Sequence, residues 1–247
     1  MILRNFKSLL LMAAMLLAGA AASAQNVVEE VVPPLFDTDS LFSGVTLADS
    51  AAAPEPSDAA GFFVDAPTAI FPTIDRSTRL DMIDYFNAGS SKASANVVNG
   101  ECRVISDTPE QIVVQTSGVS EVALALLPSS NKKWGDRILM VVTTLSTPAE
   151  DSAVKFYTTS WEPIEGVFEV PMLDDWMLPE AKKDPAPVQN ALPFVIARLT
   201  YNPESRRAVF THNLPDFVAT EMLGVARSSI HPKLTFRWDG KRFVKEK

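Results

Sequence analysis

Two kinds of hydrophobic spacing divide this chain. Between Asp75 and Ala88, Leu80, Ile83, Tyr85 and Phe86 recur at helical intervals, with Met82 beside them. Asp75 or Ser77 stands at the N-cap position, and Gly89 falls where a left-handed C-terminal residue is wanted. The spacing predicts a helix over 75–88, with Arg76, Arg79, Asp81 and Asp84 on or beside its solvent side. From Val97 onward the period falls to two. Short strands are predicted at 102–106, 111–116 and 121–127, with turns at Asp107-Thr108-Pro109-Glu110 and Ser117-Gly118-Val119.

The longest unit runs Arg137 to Leu145, turns through Ser146-Thr147-Pro148-Ala149-Glu150-Asp151, and returns from Ser152 to Tyr157. A second hairpin, 194–201 with 206–212 across Asn202-Pro203-Glu204-Ser205, reads as an internal repeat of the first, with chance likeness between hairpins as the alternative. Leu234–Trp238 and Lys241–Val244 flank Asp239-Gly240, a type I′ turn signal. Between the hairpins lie a short helix or loop near 172–178 and a Pro, Lys and Asp loop over 179–190. Short strands joined by tight turns imply an antiparallel meander. The predicted class is α+β: a curved antiparallel sheet of hairpins, about eight to ten short strands, packed on the helix at 75–88.

Composition changes the picture at the N-terminus. Arg4 and Lys7, an apolar run from Leu9 to Leu17, and Ala22-Ser23-Ala24 form the three parts of a secretory signal, with Gln25 as the expected mature start. The run is short for a membrane span, and no later stretch is apolar enough to be one. Residues 25–70 hold Pro33-Pro34, Pro54, Pro56 and Pro67 and show little periodicity. They read as a flexible tether, with Leu35-Phe36, Leu41-Phe42 and Phe62-Phe63 as apolar hooks. Residues 71–247 then form a single domain.

Formal net charge is −8, and loss of Arg4 and Lys7 makes it about −10. An acidic surface argues against nucleic acid and anionic membranes as partners. Cys102 is the one cysteine, and its place in a strand alternation, Glu101-Cys102-Arg103-Val104-Ile105, marks a buried structural thiol.

Candidate chemistry is sparse. His212 and His231 are the two histidines, without the spacing of a zinc site. There is no Gly-x-Ser-x-Gly elbow, Walker loop or dinucleotide fingerprint. Asp37-Thr38-Asp39-Ser40 starts like a calcium loop but lacks its Gly and terminal Glu. No metal or cofactor is expected. Asp174-Asp175, Glu150-Asp151, and Glu162 with Glu165 are acidic pairs of the kind a glycosidase uses, though in an acidic protein such pairs are commonly solvated. Asp81 and Asp84, three apart, share a helix face that could hold a cation, though such a pair is more often a solvated face with Arg neighbours. Trp134, Trp161, Trp176 and Trp238 fall at loop or strand-end positions. They either line a ligand or partner surface or plug the rim of a curved sheet.

The helix motif Asp75-Arg76-Ser77-Thr78-Arg79-Leu80-Asp81-Met82-Ile83-Asp84-Tyr85-Phe86, followed by Asp151–Tyr157 and Trp161, resembles a family of secreted proteins from gut Bacteroides and relatives, domain of unknown function 3256. The resemblance spans about residues 65–247, and the helix motif is its more specific half. It implies an exported Gram-negative protein of the periplasm or outer surface, and no activity. The sequence favours a non-catalytic periplasmic binding or interaction protein, taking an envelope protein or a small ligand on a concave face or sheet edge. The alternatives are a glycan- or peptide-acting hydrolase using Asp/Glu pairs, and an assembly subunit that adds a strand to a partner's sheet.

Overall fold

The computed structural model describes residues 55–192 and 194–246. The expected signal at 1–24, the calcium-like stretch and the first part of the tether lie outside the described residues. The fold is α+β, as its strand pattern predicts, but the strands form two antiparallel sheets that do not close into a barrel. The seven-stranded sheet comprises β1 (Ser94–Ala95), β2 (Glu101–Thr108), β3 (Gln111–Ser117), β4 (Ser120–Pro128), β5 (Arg137–Leu145), β6 (Asp151–Tyr157) and β7 (Pro163–Ile164), paired in chain order. The four-stranded sheet, also in chain order, comprises β8 (Ala197–Asn202), β9 (Arg207–His212), β10 (Lys233–Trp238) and β11 (Phe243–Lys245).

Among the described residues, seven helices accompany them. Two precede the first sheet: α1 (Ala59–Asp65) and α2 (Arg76–Asn87). Short helices α3 (Leu173–Trp176), α4 (Pro179–Lys183) and α5 (Ala186–Ala191) lie between the sheets in the chain. The pair α6 (Leu214–Phe217) and α7 (Thr220–Ser229) joins β9 to β10.

The seven-stranded sheet carries a core on each face. On one side Val122, Leu124, Leu139 and Val141 meet Phe62 and Phe63 of α1 and Met82 of α2. On the other, Leu127, Ile138, Met140 and Val142 meet Leu199, Phe210, Phe236 and Trp238 of the four-stranded sheet and residues of α3, α5 and α7. This explains the unbroken apolar run of β5, since a strand buried on both faces has no polar alternation.

Residues 55–70, read from composition as tether, include α1. Asp58 caps it by accepting from Gly61 N–H at 2.9 Å, and its two hook residues, Phe62 and Phe63, are fully buried. The proline-rich flanks that suppress periodicity leave only seven residues for the helix, too few to show a stripe.

Helix α2 starts and stops where predicted. Asp75 accepts from Thr78 N–H at 2.8 Å, and Ser90 N–H donates to Tyr85 O at 2.9 Å around left-handed Gly89. Its buried side is rotated from the expected stripe. Leu80 and Phe86 are exposed, and Arg79, expected at the surface, is 2 % exposed. Its guanidinium donates to Phe63 O at 2.9 Å and Ala66 O at 2.7 Å, and it lies over the Phe63 and Phe71 rings. A cation that satisfies the orphan carbonyls ending α1 is favoured where a hydrocarbon would leave them unpaired.

The sheets are stitched at one edge. Ala197 N–H donates to Asp151 Oδ1 at 3.4 Å, Leu199 N–H to Ser152 Oγ at 2.9 Å, and Gln111 Nε2 to Tyr201 O at 3.4 Å. Side chains of the large sheet thus occupy the outer edge of β8. Arg198 pairs with Glu121 at 2.7 Å and with Glu150 across the same seam. The hairpins read as a repeat, β5–β6 and β8–β9, lie in different sheets and turn differently, one through the cis bond Thr147–Pro148, the other through left-handed Arg206.

Candidate functional site

The site grows from the far edge of the seven-stranded sheet. In β6, Val154 packs on the two-sheet core and Phe156 is buried in it, while Ala153 and Lys155 face the other way and are exposed. The chain reverses through Thr158–Glu162, where Thr158 N–H donates to Glu162 O at 2.8 Å and Trp161 N–H to Thr158 O at 2.9 Å. Trp161 holds φ +64°, a left-handed conformation that costs a non-glycine residue about 1 kcal/mol. Its ring packs on Tyr157 with centroids 5.6 Å apart, which offsets that strain.

Strand β7 then lasts two residues. Pro163 opens it without an N–H, which suits an edge, and left-handed Gly166 turns the chain away. Strand β7 pairs with Phe156 and Tyr157 alone, so β6 from Asp151 to Lys155 has a ladder partner on β5 only. After the turn, Val167 O accepts from Phe243 N–H at 3.1 Å. Phe168 stacks on Phe210 at 5.7 Å and meets Phe236 and Phe243 edge-on.

Residues 166–170 are therefore pinned between the sheets, and a recess opens on each side of them. The recess toward β6 is about 410 Å³, lined chiefly by Val154, Phe156, Ile164, Phe168 and Val170, with Lys155 and Glu165 as its charged groups. The one toward β11 is about 340 Å³. This geometry suits apolar capture beside an unpaired backbone edge.

The acidic pairs do not converge on the β6 recess, and Glu150, Asp151 and Asp175 are engaged locally. Glu150 pairs with Arg198, and Asp151 accepts from the Ala197 and Ser152 amides. Asp175 accepts from Met172 N–H at 3.0 Å at the start of α3, while Asp174 is exposed. Asp81 and Asp84 are exposed on α2, and Glu162 follows Trp161 in the hairpin. Glu165 alone of these reaches the recess toward β6, and Asp175 lines the one toward β11. Among the described residues, no three of His, Cys, Asp and Glu gather to hold a metal.

The four tryptophans do not form one surface. Trp176 and Trp238 are 1 % exposed, and Trp238 Nε1 donates to Pro128 O at 2.6 Å inside the two-sheet core. Trp134 packs on that same core from the rim, and Trp161 packs on the opposite, helical one. The periodicity of β10 places Trp238 inward with Leu234 and Phe236, a signal that outweighs its position at a strand end.

Cys102 is buried, as its strand position predicts. Its thiol lies 3.4 Å from Ser94 O, and burial pushes its pKa up. Burial pulls His212, beside the Trp176 ring, below the ordinary imidazole value. The recess residues after Ile164 were not legible as a site. Pro163 and Gly166 are the two signals of a truncated edge, and both read equally well as an ordinary loop.

The fold and site define a two-sheet α+β protein with a lined edge recess and no assembled catalytic cluster among the described residues. The chain belongs to the family described as protein of unknown function (DUF3256), which it matches over residues 53–243. That span reaches back to include α1. A solved domain of an uncharacterized protein from Porphyromonas gingivalis W83 is similar in fold, with TM-score 0.63 and 24 % identity over 76 % of this chain and 96 % of that one. No curated protein matches the chain. Among the described residues, no helix is long and apolar enough to cross a membrane.

Proposed function

We propose that this protein is exported to the cell envelope and acts there as a non-catalytic binding protein. Its ligand is an extended, mainly apolar stretch of a partner polypeptide. The observation that carries the reading is the two-residue length of β7. It leaves β6 from Ala153 to Lys155 without a second ladder partner, beside a recess lined by Val154, Phe156, Ile164, Phe168 and Val170. An incoming strand gains main-chain hydrogen bonds from β6 and places alternate side chains in the recess. Export is supported by the three-part signal pattern of residues 1–24. The engagement of Glu150 by Arg198, and of Asp151 and Asp175 by backbone amides, favours binding over hydrolysis.

The test is titration of valine- and phenylalanine-rich decapeptides into isotopically labelled protein. Amide shifts concentrated at 153–156 and 164–170, lost in Val170→Arg, are the expected result. Val170 is 55 % exposed, so the substitution leaves the core intact. Shifts centred elsewhere, or equal binding by the variant, would sink the groove. N-terminal sequencing of protein recovered from its host checks export separately, with Gln25 as the expected first residue.

A further inference from the structure

The four-stranded sheet covers one face and leaves the other bare. Leu234, Phe236 and Trp238 of β10 turn inward, so Lys233, Thr235 and Arg237 turn outward. The register builds the outer face into rows. One row is Arg198, Thr211 and Lys233; the next is Thr200, Val209 and Thr235; the third is Asn202, Arg207 and Arg237. Strand geometry puts the two charged rows about 13 Å apart and makes each about 10 Å wide.

This face has the opposite sign from the rest of the protein. Its one carboxylate is Glu246, which accepts from Arg207 Nε at 2.8 Å and Nη2 at 3.1 Å. Arg198 is held from the side by Glu121 and Glu150. Among the described residues, Lys233 and Arg237 have no ion-pair partner. Arg237 also sits directly across from Arg207, and like charges opposite one another in a sheet repel. Next to Arg237 is a shallow depression of about 510 Å³ shared with Asp239, Val244, Lys245 and Glu246. The Asp239 carboxylate there is occupied by the Lys241 and Arg242 amides, at 2.7 and 2.8 Å. A chain of net charge −8 that keeps unpaired cations on one flat face presents a local anion-docking surface.

The chemistry of the face selects the kind of anion. It exposes no aromatic side chain, and its apolar groups are Val209 and Val244, so it lacks the buried anchors of a protein interface. It offers threonine hydroxyls between two rows of cations. We propose that the open face of the four-stranded sheet docks an acidic polysaccharide, a linear glycan bearing carboxylates or sulfates. Its anions meet Arg237 in one row and Lys233 in the other, and its hydroxyls meet Thr200, Thr211 and Thr235. This surface is separate from the β6 recess and does not depend on it.

The experiment measures binding of the protein, as its host produces it, to immobilised heparin and to polygalacturonate at low salt. Polyglutamate and neutral dextran serve as comparators. Lys233→Glu/Arg237→Glu is compared with Lys182→Glu/Lys183→Glu on α4, which makes the same change in net charge elsewhere. Lys233→Gln/Arg237→Gln, with thermal midpoints for all variants, separates lost binding from lost folding. Retention on at least one acidic glycan, weakened about tenfold by either face variant and unchanged by the α4 variant, is the expected outcome. No retention on either glycan overturns the proposal. So does equal loss in the α4 variant, or tighter binding to polyglutamate, which assigns the face to an acidic protein instead.

Discussion

Strand β5, inside the large sheet, buries side chains on both faces, whereas β10, inside the small sheet, buries them on one. In β5, Ile138 and Met140 enter one core while Leu139 and Val141 enter the other. In β10, every second residue meets solvent. A doubly covered strand such as β5 leaves no solvent-facing position from Ile138 to Val142. A singly covered one frees an entire face, and this protein fills that face with cations.

A charge placed in each strand breaks the contrast most sharply. Leu139→Asp puts a carboxylate between the sheet and α1/α2, and is expected to lower stability by more than about 4 kcal/mol. Thr235→Asp, on the open face, is expected to stay within about 0.5 kcal/mol. Urea denaturation of both variants measures the difference; comparable losses would mean the small sheet is covered in solution. Next in size is Arg79→Ala, which strips the partners from the Phe63 and Ala66 carbonyls and should cost about 3 kcal/mol. Arg79→Lys should recover only part of it, because one ammonium does not reproduce the planar fork.

A smaller loss follows at the seam. Arg198→Met removes the pairs with Glu121 and Glu150, all about a third exposed, and should cost about 1 kcal/mol in the same assay. A single cooperative transition is expected to persist, because apolar packing joins the sheets there. The smallest effect is a gain. Burial, followed by the nearby Asp58 charge, raises the Asp107 carboxyl above its ordinary value. Its stabilising contribution is present below the unfolded pKa, near 4, and is lost as pH rises through the folded value. Asp107→Asn should therefore raise the melting temperature at pH 7 and leave it nearly unchanged at about pH 3.

The strands were more legible than the helices, for a physical reason. Residues Gln111–Ser117 and Lys233–Trp238 alternate in sequence because each has one side turned to a core and the other less covered. The caps Asp75 and Gly89 were equally legible, since a turn's backbone demands act locally. The buried side of α2 was not: a guanidinium takes a core position there, and its partners lie 13 and 16 residues away. Helix α7 went unread because it buries little beyond Ala226. The Asp239-Gly240 turn was placed correctly, but it is not the type I′ turn its sequence signals: Gly240 is left-handed and Asp239 is not. Asp239 N–H donates to Arg242 O, so the loop holds four residues, and the Asp side chain braces it. The recess was invisible because it depends on where β7 stops, and two residues carry no period.

Within each sheet the strands are ordered as in the chain, and every strand pairs only with its chain neighbours. Most of these pairings close short loops one at a time, at a modest entropic cost per step. Only β9 and β10 pair across a long connection, the one that carries α6 and α7. The large sheet can zip from either end as the chain becomes available, and the small sheet can form later against a surface already built. The two sheets then meet along the seam of Arg198, Asp151 and Ser152, which joins units that each close on their own.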